Sequence, residues 1–323
     1  MPAVTHAAWT VDLADLPVRI SAADADLHRC ASWHFGALPR SSAERVLQVE
    51  LVRRPPAVPG RPPDHVDGPV QLWRDTGRLH LAHVSGGRAT ADDHVVLVGG
   101  NPPDDQLWKM VRQLLFSSLS WVLGRRDRLA LHAAMASRAD QTVLLLGPTG
   151  TGKSTIAVAL CAAGWSLHAD DLIIVERPDS GPATAVGMPK RMAIASDLAS
   201  MAGDTLPVTG PLPGDHRGRL MVAGDVFATG RRAVTGLIVA AHDEGDGRME
   251  PLPHHHRLSV LTSSYLDAHD PDSLRRGLPH LAGLARLPGW RLGLAADPAR
   301  RLTRASAAIE SALESRAGQQ AGQ

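Results

Sequence analysis

The sequence predicts an α/β protein in which a β-rich region, residues 1–105, precedes a domain of mixed strands and helices, residues 128–323. Three observations support this prediction. Short runs of alternating apolar and polar residues recur in the first hundred positions, which is typical of half-buried strands. Residues 106–123 carry apolar side chains at helical spacing. Residues 143–163 form an apolar run, a glycine-rich loop and a helix pattern, an order typical of α/β folds.

The β-rich region contains several strand patterns and no motif that carries chemistry. A proline-rich stretch at residues 53–63 predicts a loop. The expected strands all alternate and comprise residues 9–13, 46–52, 70–74, 79–84 and 94–98. We interpret this region as an accessory unit.

One long helix is expected between the two regions. Its apolar positions begin with Leu107, Met110 and Val111 and continue at helical spacing. Gly124, which two arginines follow, predicts the end of this helix. Residues 106–127 are therefore interpreted as a linking helix.

In the mixed domain, the strands around the glycine-rich loop are expected to lie side by side. Residues 129–136 predict one strand that runs towards the strand 143–146. Residues 172–176 predict another, with Asp170 and Asp171 at its start, and we expect it beside the strand 143–146. Residues 183–192 predict a strand that leads into a loop, and the apolar run 233–241 predicts a central strand. Weaker patterns predict strands at 258–261 and 291–294. Helices are expected at 193–201 and 302–313, and a loop at 203–218.

The glycine-rich loop carries the strongest motif of the sequence. It matches the P-loop pattern G-x-x-x-x-G-K-[ST] with Gly147, Pro148, Thr149, Gly150, Thr151, Gly152, Lys153 and Ser154, and Thr155 follows. Between a strand and a helix, backbone N–H groups and the positive helix end can hold a phosphate chain. Lys153 is expected to reach the β- and γ-phosphates, and the Ser154 hydroxyl to bind Mg²⁺. The motif therefore predicts nucleotide binding, with ATP and Mg²⁺ as the expectation.

A P-loop does not name a reaction, which depends on a second, acidic element. Asp170 and Asp171 follow Lys153 by 17 and 18 positions. One carboxylate there could take the proton from an attacking hydroxyl, and the other could hold Mg²⁺. Neighbours in a strand point to opposite faces, so we expect different roles for the two. Asp243-Glu244, after an apolar run, is the alternative acidic element of an ATPase, although the stretch also fits a polar turn.

Three stretches together resemble the core of the HPr kinase/phosphorylase family. They are His132, fifteen residues before Gly147, then the P-loop, and then the run Gly164-Trp165-Ser166-Leu167-His168-Ala169-Asp170-Asp171. The resemblance, which is best over residues 128–176, implies a P-loop domain of the phosphoenolpyruvate-carboxykinase-like type and ATP-dependent phosphorylation of a serine hydroxyl. It implies Asp170 as the catalytic base, His132 as the histidine that supports it, and Asp171 as the acidic neighbour near the metal. The resemblance is also consistent with a homo-oligomer.

The sequence departs from that family at two places. Thr155 stands where the bifunctional enzymes have Glu, and residues 187–192 stand where they have Glu-x-Arg-Gly. These departures argue against phosphorylase activity and against HPr as the substrate. The chain is more similar to HPr-kinase-like proteins associated with peptide-modification gene clusters, which implies a serine of a peptide or small protein as acceptor. Four cations could contact phosphate or substrate, or could be solvated surface charges: Lys190, Arg191, Arg217 and Arg219.

Composition excludes several classes of function. A net charge of +1 over 323 residues gives no reason to expect a nucleic-acid partner. The two cysteines, Cys30 and Cys161, provide neither a disulfide framework nor a cysteine zinc site. The sequence lacks a signal-peptide pattern and an apolar run of about 18 residues, so we expect a cytoplasmic protein without membrane contact. His254-His255-His256 is interpreted as a polar loop before the strand 258–261, because adjacent residues of a strand cannot all face one ion.

These patterns predict an ATP- and Mg²⁺-dependent kinase that phosphorylates a hydroxyl of a peptide or small protein. Two alternatives stay open. One is a small-molecule kinase that acts on free serine or a sugar. The other is a nucleotide-binding regulatory ATPase that uses Asp243-Glu244.

Overall fold

An eight-stranded sheet forms the amino-terminal part of the chain. The computed structural model describes residues 6–176, 181–188, 192–202, 206–211, 218–222, 226–241, 247–268, 270–294 and 298–321. The strands of this first sheet are β1 (His6–Leu13), β2 (Leu16–Ala22), β3 (Leu47–Val52), β4 (His65–Asp67), β5 (Val70–Asp75), β6 (Arg78–His83), β7 (Arg88–Ala91) and β8 (Val95–Gly99). Their order is β1-β2-β3-β8-β7-β6-β5-β4. The five strands expected in this region are confirmed.

Two helices cover one face of the first sheet. α1 (Ala25–Phe35) starts after Asp24, whose Oδ1 accepts hydrogen bonds from the backbone N of Asp26 and Leu27. α2 (Asp104–Gly124) confirms the expected long helix and packs on β6, β7 and β8. α2 also packs on the first strand of the next sheet, so it lies between two sheets.

Two further sheets build the mixed domain. A four-stranded antiparallel sheet contains β9 (Arg128–Leu131), β13 (Ile173–Glu176), β14 (Thr184–Gly187) and β18 (Arg231–Ala233), in the order β18-β14-β13-β9. A six-stranded sheet contains β10 (Ala134–Arg138), β11 (Gln141–Leu146), β12 (Ser166–Ala169), β19 (Gly236–Ala241), β20 (Met249–Pro251) and β21 (Gly289–Gly293), in the order β12-β10-β11-β19-β21-β20. A small three-stranded sheet has the order β15 (Ala193–Ile194), β17 (Leu220–Val222), β16 (Val208–Pro211).

Five helices complete the described structure: α3 (Lys153–Ala162), α4 (Ser196–Ala202), α5 (His254–Ser264), α6 (Pro271–Ala285) and α7 (Pro298–Ala321). The side chains of β11 alternate between two cores. Val143 and Leu145 pack with α3 and α7, whereas Leu144 and Leu146 pack with α5 and α6. Because both faces of this strand are covered, its sequence is a continuous apolar run. No helix in the described ranges is long and apolar enough to cross a bilayer.

The chain passes between the four-stranded and six-stranded sheets twice at the same place. Residues 132–133 connect β9 to β10, and residues 170–172 connect β12 to β13. Leu131 pairs with Ile173 on one side, and Met135 pairs with Ala169 on the other. The two connections therefore lie next to each other, and we call them the sheet crossing.

The sheet crossing corrects two predictions. Residues 129–136 do not form one strand, because the chain leaves the four-stranded sheet at His132 and enters the six-stranded sheet at Ala134. The strand that follows Asp171 is also not beside the P-loop strand: β13 belongs to the four-stranded sheet, and β11 to the six-stranded sheet. Strand patterns show local periodicity, whereas the choice of sheet depends on distant partners.

The strand predicted at residues 258–261 is wrong. This stretch lies inside α5, which packs against α6 and β11. The predicted polar loop at His254-His255-His256 is wrong as well, since these exposed residues form the first turn of α5. Leu258 and Leu261 lie three positions apart, so one helix face carries both, and the short apolar pattern fitted either structure.

Candidate functional site

The glycine-rich loop, residues 147–152, joins β11 to α3 and requires glycine at three positions. Gly147, Gly150 and Gly152 have φ values of +130°, +89° and +99°, which other residues rarely adopt. A Cβ atom on Gly152 would also lie 2.2 Å from Cδ1 of Leu294, at the end of β21. α3 begins at Lys153. Its N-cap residue, Gly152, has no side chain that could accept a hydrogen bond from the first amides of the helix. The amides of the first turn of α3 are therefore suited to an anion.

Lys153 is folded back onto this loop. Its Nζ donates to the backbone O of Gly147 at 2.7 Å and of Pro148 at 3.0 Å. The side chain is buried, and burial lowers the pKa of Lys153, while the nearby carboxylates of Asp171 and Asp170 raise it. The lysine thus lies between the loop carbonyls and two acids, where a phosphate could replace the carbonyls as its partner.

Ser154 and Asp170 are in direct contact. The Ser154 hydroxyl donates to Oδ1 of Asp170 at 2.8 Å. Ser154 is in the first turn of α3, and Asp170 comes directly after β12. β12 and β11 are both antiparallel to β10, so β12 and β11 end at the same edge of the sheet. This topology brings a hydroxyl and a carboxylate together beside the glycine-rich loop.

Asp171 is buried in a different set of contacts. Nη2 of Arg112 lies 2.8 Å from Oδ1 and 2.7 Å from Oδ2 of Asp171, and Nε of Arg112 lies 3.1 Å from Oδ2. Nδ1 of His132 lies 2.7 Å from Oδ1 of Asp171. The carboxylate is therefore shared by a guanidinium and an imidazole.

His132 is oriented by three contacts at the sheet crossing. Its Nδ1 lies near Oδ1 of Asp171 and 3.1 Å from the backbone O of the same residue. Both partners are acceptors, so Nδ1 carries the proton. The backbone N of His132 donates to the backbone O of Ser264 at 2.7 Å. The carboxylate that His132 contacts is that of Asp171, and its predicted support of Asp170 stays a prediction.

The structure brings together most of the residues that the sequence singled out. The glycine-rich loop, Lys153, Ser154 and both carboxylates of the pair meet at the edge where β11 and β12 end. Arg219 lies next to β17 in the three-stranded sheet. The other candidates lie outside the described residues: Lys190, Arg191, Arg217 and Asp243-Glu244.

Arg112 is a site residue that the sequence reasoning missed. It lies on α2, 59 positions before Asp171, and belongs to no motif. Its sequence signal is weak: a cation between the buried positions Val111 and Leu114 of α2. Only the packing of α2 against β9 brings it to the sheet crossing.

The residues of this site fit a Mg²⁺ ion that a nucleotide delivers. The Ser154 hydroxyl and the Asp170 carboxylate are hard oxygen ligands, which Mg²⁺ prefers. Within the described ranges, no group of three or more His, Cys, Asp or Glu side chains could hold a metal. Mg²⁺ in nucleotide sites commonly binds through one or two carboxylates together with substrate phosphates.

Comparison with known proteins adds little to this geometry. No family model matches the chain, and no curated protein matches it in sequence. Among solved structures, the chain is similar to the Hpr(Ser) kinase/phosphatase from Coxiella burnetii, with a TM-score of 0.33 and 12% identity, over 60% of this chain and 95% of that chain. A TM-score of 0.33 does not establish a shared fold.

Proposed function

We propose that this chain is an ATP- and Mg²⁺-dependent kinase that transfers the γ-phosphoryl group to a hydroxyl, a serine of a peptide or small protein. The contact of Ser154 with Asp170 beside Lys153 carries the proposal. It supports a site in which a hydroxyl that could bind Mg²⁺ and a carboxylate that could act as the base lie beside a phosphate-binding loop. The acceptor class follows from the resemblance in sequence described above.

In the proposed reaction, the acceptor oxygen forms a bond to the γ-phosphorus while the bond to the β,γ-bridging oxygen breaks. The acceptor proton moves to the carboxylate of Asp170, and ADP leaves. Lys153 leaves the carbonyls of Gly147 and Pro148 and stabilises the transferring phosphoryl, together with the loop amides. Mg²⁺, when bound, neutralises charge on the β- and γ-phosphate oxygens.

The two carboxylates have different surroundings, which supports different roles. Asp170 contacts the predicted metal ligand Ser154 and is only partly buried. Asp171 is buried and is held by Arg112 and His132. We propose that Asp170 faces the reacting groups and that Asp171 orients His132 behind it. The metal role predicted for Asp171 is tested separately below.

The first experiment is phosphoryl transfer from labelled ATP to peptides that contain serine. We expect transfer by the wild type and a loss on the order of 1000-fold in Asp170→Asn, because the base is removed and the fold is kept. Asp140→Asn is the matched control, since this acid lies in an exposed turn before β11. Full activity of Asp170→Asn would exclude Asp170 as the base.

A small-molecule kinase would use the same residues, and the acceptor alone distinguishes it. Free serine and sugars therefore belong in the same assay. Transfer to these acceptors, without transfer to peptides, would replace the peptide class and leave the kinase mechanism in place.

A regulatory ATPase is the second candidate, and one observation favours it. β19 is parallel to β11 and adjacent to it, and a Cβ atom on Gly147 would lie 3.2 Å from the backbone O of Ala240. β19 therefore ends beside the glycine-rich loop, and Asp243 and Glu244 follow this strand in the sequence. ATP hydrolysis without any acceptor, lost in Glu244→Gln and kept in Asp170→Asn, would favour this function over the kinase.

A further inference from the structure

α2 is seated closely on the amino-terminal sheet near the turn of the helix that carries Arg112. A Cβ atom on Gly87 would lie 1.9 Å from Sδ of Met110, and one on Gly100 would lie 2.9 Å from the same sulfur. The helix therefore approaches the sheet at two glycines. Nε2 of His83 lies 2.7 Å from Oε1 of Gln113, one residue beyond Arg112. These contacts fix the distance of α2 from the sheet and the orientation of the helix about its own axis.

The opposite side of α2 presents Arg112 to the sheet crossing. The guanidinium lies 5.8 Å from the ring centre of Phe116, and it contacts Asp171 through Nε and Nη2. A planar guanidinium that is held by a ring and by both oxygens of a carboxylate has little freedom. Asp171 in turn contacts His132 at 2.7 Å.

We propose that Arg112 is a positioning residue of the phosphotransfer site, so that the amino-terminal sheet completes this site through α2. The inference rests on the proposed function. Arg112 acts by fixing Asp171, which keeps His132 and the backbone of residues 170–172 in place next to Lys153. The amino-terminal region thereby supports the geometry of the phosphotransfer site. This role is separate from any contact that the region makes with an acceptor.

Arg112 and Arg125 form a matched pair for a test. Arg125, at the end of α2, contacts Asp93 with Nε at 2.6 Å and Nη2 at 2.9 Å, and it lies 5.0 Å from the ring centre of Trp121. The two arginines are 43% and 35% exposed. Each arginine therefore binds an Asp and lies over an aromatic ring. They differ in position, since Asp171, the partner of Arg112, lies at the sheet crossing and Asp93 does not.

The experiment measures ATP turnover, with a peptide or water as acceptor, in the full chain. We expect Arg112→Gln to lower kcat on the order of 100-fold, the loss typical of a reacting group that is displaced by an ångström. The KM for ATP should change by less than about threefold, because Arg112 acts through Asp171. Arg125→Gln should keep the wild-type kcat. Arg112→Lys should recover only part of the loss, because an ammonium cannot bind both carboxylate oxygens in a fixed plane.

A double-mutant cycle distinguishes positioning from general destabilisation. If Arg112 acts through Asp171, the variant that combines Arg112→Gln with Asp171→Asn has the kcat of Asp171→Asn alone. Losses that multiply would overturn the inference. So would an Arg112→Gln variant whose kcat matches that of Arg125→Gln, or whose loss is explained by a smaller folded fraction in thermal melting. If the wild type fails to turn over ATP both with the peptide and with water, the proposed function and this inference are overturned together.

Discussion

Two pairs of acidic residues in this protein are each reached by an arginine from the amino-terminal part of the chain. In the pair Asp170 and Asp171, Arg112 of α2 contacts Asp171. Asp267 and Asp270, just before α6, are reached by Arg74 of β5, whose Nε lies 3.3 Å from Oδ1 of Asp270. The residue types are the same, so the chemistry depends on the other groups that face each pair.

The second pair is buried, and one of its members caps α6. Oδ2 of Asp270 accepts a hydrogen bond from the backbone N of Ser273 at 3.0 Å, which caps α6. Asp267 is 2% exposed, and burial raises its pKa to about 7, with Ser273 and Arg74 lowering it and Asp270 raising it. Tyr265 beside it is buried too, and burial raises the pKa of its hydroxyl. The first pair, in contrast, faces a buried lysine, a serine hydroxyl and an exposed glycine-rich loop. Substitutions should therefore change activity at the first pair and stability at the second.

The largest effect is expected from Lys153→Met at the first pair. ATP turnover should fall on the order of 1000-fold, because the loop loses the cation that faces the transferring phosphoryl. The melting temperature should change little, because the cost of burying this ammonium offsets its two hydrogen bonds to the loop carbonyls. Lys109→Met, an exposed lysine on α2, is the control and should match the wild type in both measurements. Wild-type turnover in Lys153→Met would remove the basis for separating the two pairs.

The next effect is on stability, from Asp267→Asn at the second pair. The pKa of Asp267 is raised, so between about pH 4 and about pH 7 the folded chain holds a proton that the unfolded chain has lost. The free energy of unfolding of the wild type therefore falls as the pH rises through this window. Asp267→Asn should remove that decrease and be more stable than the wild type at pH 8, by at most about 4 kcal/mol, and nearly equal at pH 4. Chemical unfolding at both pH values measures this. Equal stability at pH 8 would show that the folded chain tolerates the charge.

A smaller effect should separate the two members of the first pair. Asp170→Asn should raise the Mg²⁺ concentration that is needed for half-maximal nucleotide binding by about tenfold, because this carboxylate orients the hydroxyl of Ser154, the proposed metal ligand. Asp171→Asn should change it less, since this carboxylate is engaged by Arg112 and His132. Titration of a fluorescent nucleotide at a series of Mg²⁺ concentrations measures both. The opposite order would favour Asp171 as the metal ligand, as the sequence predicts.

The smallest effect is expected from Asp270→Ala. Loss of the cap of α6 should lower the free energy of unfolding by about 1 kcal/mol without changing kcat. Asp272→Ala is the control, because this acid of the first turn of α6 pairs with Arg275 at the surface, where such pairs contribute little. A change in kcat for Asp270→Ala would show that the second pair is connected to the reaction.

The sequence predicted the local parts of this site and missed its assembly. The glycine-rich loop follows from residue chemistry at fixed spacing, since positive φ values and a helix start need particular residues at particular positions. The neighbours of Asp171 follow from sheet order and from the packing of α2, which no local pattern encodes. Arg112 lies 59 positions from its partner, so the spacing of motifs could not find it.

The sequence patterns did not predict two helices of the fold, α5 and α6, because of their composition. α6 contains Pro279 and two glycines, which weaken a helix pattern. α5 begins with three histidines and presents only a short apolar pattern, which alternates as readily as it follows a helix. In both cases contacts with other elements override local preference, because these helices cover the face of the six-stranded sheet opposite α3.

The sheet crossing has a consequence for hydrogen exchange. His132, Asp170 and Asp171 lie in connections that leave one sheet and enter another, so opening of either sheet should loosen their backbone. Amide protons in the middle of β11 or β13 should report the opening of their own sheet alone. The four-stranded and six-stranded sheets each have an opening rate. Amides of residues 132–134 and 169–172 should exchange at the faster of these two opening rates. The candidate site would then be among the first of the described parts of the protein to open, while the cores on either side of it stay protected.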